Sequence, residues 1–270
     1  MTARIFREFG RYGAIALINV QNSLAYGGEL LLRSIFILVI LYIFVHLWKA
    51  TYLSAGASRI EGLSMAQTLW YLVVTESLIM SRSPFSGTIS DEVKEGTLAY
   101  SMSRPLNYLL YHFAFQGGES LVRLTINLVM GGLLMTAFVG PPSLSPLYIV
   151  PFIVSLMLAF ILDFCLEGLI GLMAFFTEDI TGIQLIYGKI LFILGGLLFP
   201  LDFFPQWLRQ ISLALPFNLV LYGPAKLFVD FSMARWWALT ASQLCWIVLI
   251  GIALAAAFKK SLRHVAINGG

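Results

Sequence analysis

Hydrophobic residues run along this chain in long blocks separated by short polar intervals. Crossing a hydrocarbon core takes roughly 20 helical residues, and six blocks reach that length: 31–53, 63–83, 111–139, 147–176, 183–203 and 235–258. Ahead of the first block the pattern changes. Ile5, Phe9, Tyr12, Ala16, Val20 and Leu24 recur at three- and four-residue spacing, while Arg4, Arg7, Glu8, Arg11 and Asn22 fall mainly on other faces. This predicts that residues 1–30 hold an amphipathic helix lying in the membrane interface, broken off by Gly27-Gly28. The expected fold is an all-α membrane protein of six transmembrane helices behind that interfacial helix. No linker or repeat divides residues 1–270 into more than one domain.

The most charged interval, residues 84–110, separates the second and third spans. It carries Asp91, Glu92, Lys94 and Glu95 within five residues, then Gly96, and ends at Arg104-Pro105. A short charged helix between two spans needs a partner outside the bilayer; the plainer alternative is a solvated loop. Short cytoplasmic loops carry the excess of arginine and lysine. Arg4, Arg7, Arg11, Arg33, Arg82, Lys94, Arg104, Lys189, Lys259, Lys260 and Arg263 fall on one side, against Lys49, Arg59, Arg209, Lys226 and Arg235 on the other. Both termini and the charged interval are therefore expected in the cytoplasm, where ATP is available. The chain would be a multi-pass protein of the plasma membrane, the inner membrane in a bacterium.

After the fifth span the pattern is too apolar for an ordinary loop and too broken for a span. Pro200, Pro205, Pro216 and Pro224 interrupt it, with Trp207 among the short apolar turns between them. Helices this short dip into a leaflet only where protein buries their backbone. Residues 202–234 are expected to form an outer lid of two re-entrant or interfacial helices; the alternative is a surface loop anchored by aromatic residues.

Charge inside a span costs about 2.5–3.5 kcal/mol at the bilayer centre, so each such residue needs a reason. Folding spans three and four about Ser143 brings Arg123 level with Asp163, with Glu167 one turn away, and Glu119 precedes Arg123 by the favourable four residues. The predicted cluster of Arg123, Asp163 and Glu167 is read as a clasp holding the hairpin rather than a proton or ion relay, because a nearby arginine keeps a carboxylate charged. Glu76, near the end of span two, either lines a water-filled vestibule or reaches toward the headgroups.

Composition narrows the function further. Of the residues, 59% are hydrophobic and only 11% charged, where a soluble domain is about a quarter charged; the mean hydropathy is +0.85. A net charge of +3 gives no reason to expect nucleic acid. Cys165 and Cys245 lie in apolar runs, and His46 and His112 stand without ligand-spaced partners, so no disulfide framework or metal site is indicated. Ala55-Gly56-Ala57 resembles a cleavage site, but the segment before it is too long for a signal peptide, and the first span is expected to remain uncleaved. His-Glu-x-x-His, Gly-x-Ser-x-Gly and Walker-type loops are absent from the sequence. No catalytic activity or bound cofactor is expected, and any ATP and Mg would be held by another polypeptide.

The wording of two segments carries a resemblance. Ile89-Ser90-Asp91-Glu92-Val93-Lys94-Glu95-Gly96-Thr97-Leu98 followed by Ser103-Arg104-Pro105 resembles the coupling region of ABC-2 type permeases, in the branch once known as an uncharacterised ABC transport system permease component. Pro200-Leu201-Asp202-Phe203-Phe204-Pro205-Gln206-Trp207-Leu208, then Leu215-Pro216-Phe217 and Tyr222-Gly223-Pro224-Ala225, is similar to that branch's outer segment, and Tyr26 and Arg33 fit its habit before span one. A small departure is the lack of a glycine after Leu227-Phe228-Val229.

The resemblance implies a transmembrane subunit that pairs with a second permease chain, the same or related, and binds two ABC ATPase subunits. Asp91, Glu92, Lys94, Glu95, Gly96 and Arg104 would belong to the ATPase-coupling segment, and export would be the usual direction. The expected function is an ATP-driven exporter subunit. An ATPase-independent channel or ion-coupled carrier using the intramembrane acids, or a membrane scaffold without transport, stands as the alternative. Few polar groups converge in the spans, which slightly favours an amphipathic or lipid-like substrate.

Overall fold

A computed structural model describes residues 2–142, 145–177 and 179–268, and the side chains of residues 10–261 among them. The side chains of Arg4, Ile5, Arg7, Glu8, Phe9 and Arg263, and the hairpin tip at Ser143, lie outside the described residues. The chain is an all-α membrane protein whose described helices include four long and apolar enough to cross a membrane. These lie within Gly27–Ala55, Tyr108–Val139, Pro146–Phe175 and Met233–Ser261.

Helix α1 (Thr2–Ala25) is followed after Tyr26 by α2 (Gly27–Ala55), so the predicted break comes one residue ahead of the glycine pair. The buried stripe of α1 is not the fully apolar one expected. Asn19 and Ser23 are buried while Leu17, Ile18 and Leu24 are exposed, because α1 packs on α6 (Tyr108–Val139) and Asn19 donates its amide to the Phe115 carbonyl there. The left-handed Gly56 ends α2. A small antiparallel hairpin then pairs β1 (Arg59–Ile60) with β2 (Leu63–Ser64) around Glu61 and Gly62, both at positive φ, as a tight two-residue turn requires. Ser64 and Gln67 form a reciprocal capping box that starts α3 (Met65–Ser81).

Two predicted spans are shorter as helices than as apolar blocks. Helix α3 has 17 residues, roughly 26 Å at 1.5 Å per residue. In the block 183–203, helix α8 (Thr181–Ile193) stops after 13 residues, and Leu194 to Gly196 turn out of it with Gly196 at φ +74°. The remainder continues as irregular chain through Pro200 to a 3-10 turn at Leu201–Phe203. Its carbonyls are satisfied by neighbours: Tyr71 donates to the Gly196 carbonyl, Thr75 to that of Leu197 at 3.3 Å, and the Tyr222 amide to that of Gly195 at 3.0 Å. Buried non-helical backbone is tolerable only with such partners.

Helices α4 (Phe85–Lys94) and α5 (Leu98–Ser103) follow α3, and α7 (Ile149–Leu172) follows α6. Helices α9 (Gln206–Ala214), α10 (Tyr222–Val229) and α11 (Met233–Asn268) complete the chain. One apolar core joins α2, α3, α6 and α10 through Ile37, Leu41, Tyr71, Leu72, Met135 and Ala225; a second joins α7, α8, α10 and α11. The molecule has two distinct ends. At one, α10 lies against the start of α3, where Gln67 donates to the Val229 carbonyl at 3.0 Å and Trp70 to that of Gly140 at 3.2 Å. At the other, α4 and α5 meet the start of α6, the last turns of α7, and α11 near Phe258. There Tyr12 of α1 accepts from the Asn107 amide at 3.0 Å.

Candidate functional site

The charged interval forms a bent finger, α4–α5, set on the end of the helical domain. Its root is apolar. Phe85 and Ile89 are fully buried, and the Phe85 ring stacks on Phe164 at 4.2 Å between centroids. Close approach to α7 depends on Gly171, where a Cβ would stand 2.7 Å from Ile89 and 3.0 Å from the Ser86 backbone. Helix α4 is capped by Glu95, and Gly96 takes φ +71° to turn the chain into α5, a conformation that L side chains rarely adopt.

The finger's charged residues divide by direction. Asp91, Lys94, Glu95 and Gly96 are exposed, and Lys94 reaches Asp179 at 3.2 Å. Asp179 also accepts from the Thr181 hydroxyl and amide at the start of α8. Those bonds, with the Lys94 ammonium, hold its carboxyl below the ordinary range. Glu92 faces the other way: it accepts from Tyr108 at 2.7 Å and Ser101 at 3.1 Å, with His112 at 3.5 Å. It ties α4, α5 and α6 together and is not part of the finger's outward face. Arg104 lies over the rings of Tyr100 and Tyr111, at 5.5 and 5.2 Å.

Beneath the root sits the predicted charge cluster, and its cation is not the expected one. Arg82, the residue that ends α3, donates to Asp163 at 2.8 Å and to Glu167 at 2.5 Å. Arg123 pairs instead with Glu119 in its own helix, and donates to the Arg82 carbonyl at 3.5 Å. The predicted contact of Arg123 with Asp163 or Glu167 is thus corrected. The reason lies in how the α6–α7 hairpin opens: α6 packs on α1, α2 and α3, whereas α7 packs on α4, α10 and α11. The end of α3 and the start of α4 therefore reach the α7 acids first.

The cluster also reaches past its ion pairs. Tyr187 of α8 donates to Asp163 at 2.7 Å, and Arg82 lies 5.0 Å over its ring. The second oxygen of Glu167 accepts from the Ser86 amide at 3.1 Å and from the Ser86 hydroxyl, which in turn accepts from Gln184 at 2.9 Å. Pro84 precedes α4 and offers no side-chain cap; Glu167 supplies the missing acceptor from another helix. The partial positive charge at a helix start helps offset the second carboxylate beside a single arginine. Arg82, Ser86, Gln184 and Tyr187 were not singled out by sequence; the signal for Arg82 was its place at the boundary between span two and the charged interval.

Glu76 is buried in α3 and has no hydrogen bond or ion pair among the described residues. At the opposite end, the prolines stand where short helices begin: Pro200 before a 3-10 turn, Pro205 before α9, Pro216 opening a 3-10 turn at Pro216–Leu219, and Pro224 in the first turn of α10. There a missing amide hydrogen costs little. Helix α10 is buried, while α9 is largely exposed with Trp207 outward. No group of acids, histidines and cysteines among the described residues is arranged to hold a metal.

A family model described as "ABC-2 family transporter protein" matches residues 30–269. No curated protein matches the chain.

Proposed function

Because the chain belongs to the ABC-2 transporter family, we propose that it is the permease subunit of an ATP-driven exporter whose α4–α5 finger is gripped in the cytoplasm by a separate ATPase. In this reading α2, α3, α6, α7, the α8 segment through Pro200, and α11 make six crossings of the plasma membrane, the inner membrane in a bacterium. Both termini lie on the ATPase side. Two ATPase subunits carry ATP and Mg, and a second permease chain, the same or related, completes the complex. Residues 202–234 close the outer side as a lid.

The observation that carries the reading is the finger's division of labour. Its tip presents Asp91, Lys94, Glu95 and Gly96 outward, while its root is bonded through Glu167 to α7 and through Arg82 to the end of α3. Movement of the tip would therefore be felt by two spans. The Arg82–Asp163–Glu167 cluster serves as the joint, not as an ion pathway, since its polar atoms are committed to one another. An amphipathic cargo fits the apolar helices, and it would pass between the two permease chains.

The test is co-purification. Tagged chain extracted from its native membrane should bring down an ABC ATPase in equal amount. Asp91→Lys with Glu95→Lys should abolish that association while leaving the chain folded. Glu92 is the wrong residue to change, because it holds α5 and α6. Transport that persists in vesicles without any ATPase would overturn the reading in favour of a self-sufficient carrier.

A further inference from the structure

The outer end holds a second charge network that the coupling reading does not use. Asp202 accepts from Arg209 at 3.2 Å, Lys226 at 3.0 Å and Tyr222 at 3.2 Å. Asp230 pairs with Arg235 at 3.0 Å and lies 3.8 Å from Lys226. Three cations thus face two carboxylates, which leaves one positive charge over. Both Asp202 oxygens are occupied. Arg235 meets Asp230 through Nη2 only, and its Nη1 has no acceptor among the described residues.

Lys226 and Arg235 stand on the wall of a cavity of about 250 Å³. Its floor is one stripe of α11, in which Arg235 is followed at helical spacing by Ala238, Leu239 and Ser242. Leu213 of α9 and Leu219 face that stripe. The cavity therefore has a cationic corner and an apolar wall. Trp207 and Trp237 are both exposed nearby in sequence, at 64% and 62%, as side chains at a membrane–water boundary are.

We propose that this cavity binds the phosphate of an anionic phospholipid from the outer leaflet, with its glycerol and first acyl carbons against Leu213, Leu219 and Ala238. A phosphate is a fitting acceptor for a guanidinium with one side uncommitted. A small swing of the partly exposed Arg235 side chain turns Nη1 to it, and Lys226 adds charge from the facing helix. Asp230, and Asp202 behind Lys226 and Tyr222, are the nearby carboxylates that oppose the ligand. The lipid braces α9 and α10 against α11, and this holds whether or not an ATPase drives the protein.

The experiment is native mass spectrometry of the full-length chain with dioleoylphosphatidylglycerol, dioleoylphosphatidylcholine or glycerol 3-phosphate. Wild type should retain phosphatidylglycerol over phosphatidylcholine. Arg235→Gln should weaken that retention about tenfold, as expected for loss of one charge-assisted hydrogen bond. Ala238→Phe, which fills the cavity and leaves every charge in place, should abolish it. Asp230→Asn should strengthen it, a gain that a merely structural role for Arg235 does not produce. Equal retention of the two lipids, no gain with Asp230→Asn, or unchanged retention in Arg235→Gln or Ala238→Phe would overturn the proposal. Displacement by equimolar glycerol 3-phosphate would overturn the lipid as occupant in favour of a soluble phosphate ester.

Discussion

Glu167 does two jobs with two oxygens: one neutralises Arg82, and the other caps α4. Removing it strands a buried guanidinium on Asp163 alone and leaves the Ser86 amide without an acceptor. Losing one partner of a buried pair costs about 3–5 kcal/mol, so Glu167→Ala should lower stability by roughly that amount, read by thermal unfolding in nanodiscs. Glu167→Gln keeps a carbonyl for Ser86 and should cost less, while Glu95→Ala at the exposed tip should stay within about 0.5 kcal/mol of wild type. Equal stability of the 167 and 95 variants would show that the joint is not structural. The charged tip was legible in sequence because Asp91, Lys94 and Glu95 have no place in a bilayer. The arginine was not. Spacing placed Arg123 at the height of Asp163, but height along a hairpin does not reveal that a third helix end enters between its arms.

At the scale of elements, α4 draws its order from neighbours more than from itself. It has ten residues, fewer than an isolated helix needs in water, and it lacks a side-chain cap of its own. Lys94 and Asp179 link its last turn to the start of α8. The folded carboxyl of Asp179 is depressed below its ordinary value of 3.8. Its contribution is therefore present above that ordinary value and is lost as pH falls through the lower folded one. The carboxyl carbon shift of Asp179 should titrate below 3.8 in the wild type and move upward in Lys94→Ala; an unmoved midpoint would remove Lys94 from the account. Long helices were readable from hydropathy, as were the prolines at the starts of the short helices that follow α8. The early stop of α8 was not, since Leu194 to Leu198 remain apolar while their carbonyls turn to Tyr71, Thr75 and Tyr222. Apolarity reports burial, and only the partners decide whether the buried chain is helical.

For the whole molecule, the essential feature is polarity between two ends. Helices α4 and α5 share one end with α1 and the later turns of α11, and the Asp202 network occupies the other. A single-cysteine scan tests this directly in a Cys245→Ser background, where Cys165 stays buried. Glu95→Cys and Trp207→Cys should be labelled by a membrane-impermeant maleimide from opposite faces, Trp207→Cys in intact cells and Glu95→Cys only after lysis. Labelling of both from one face would end the picture of a cytoplasmic finger beneath an outer lid. The contact at Gly171 has a mechanical consequence for a protein so divided. With no side chain at position 171, Ile89 rests directly on α7 like a beam on its fulcrum, and the seven residues to Gly96 form an arm of roughly 10 Å. If an ATPase grips the tip as proposed, a load there would reach α7 as torque instead of being lost to sliding, and a bulky residue at 171 would leave the engine turning with the gears apart.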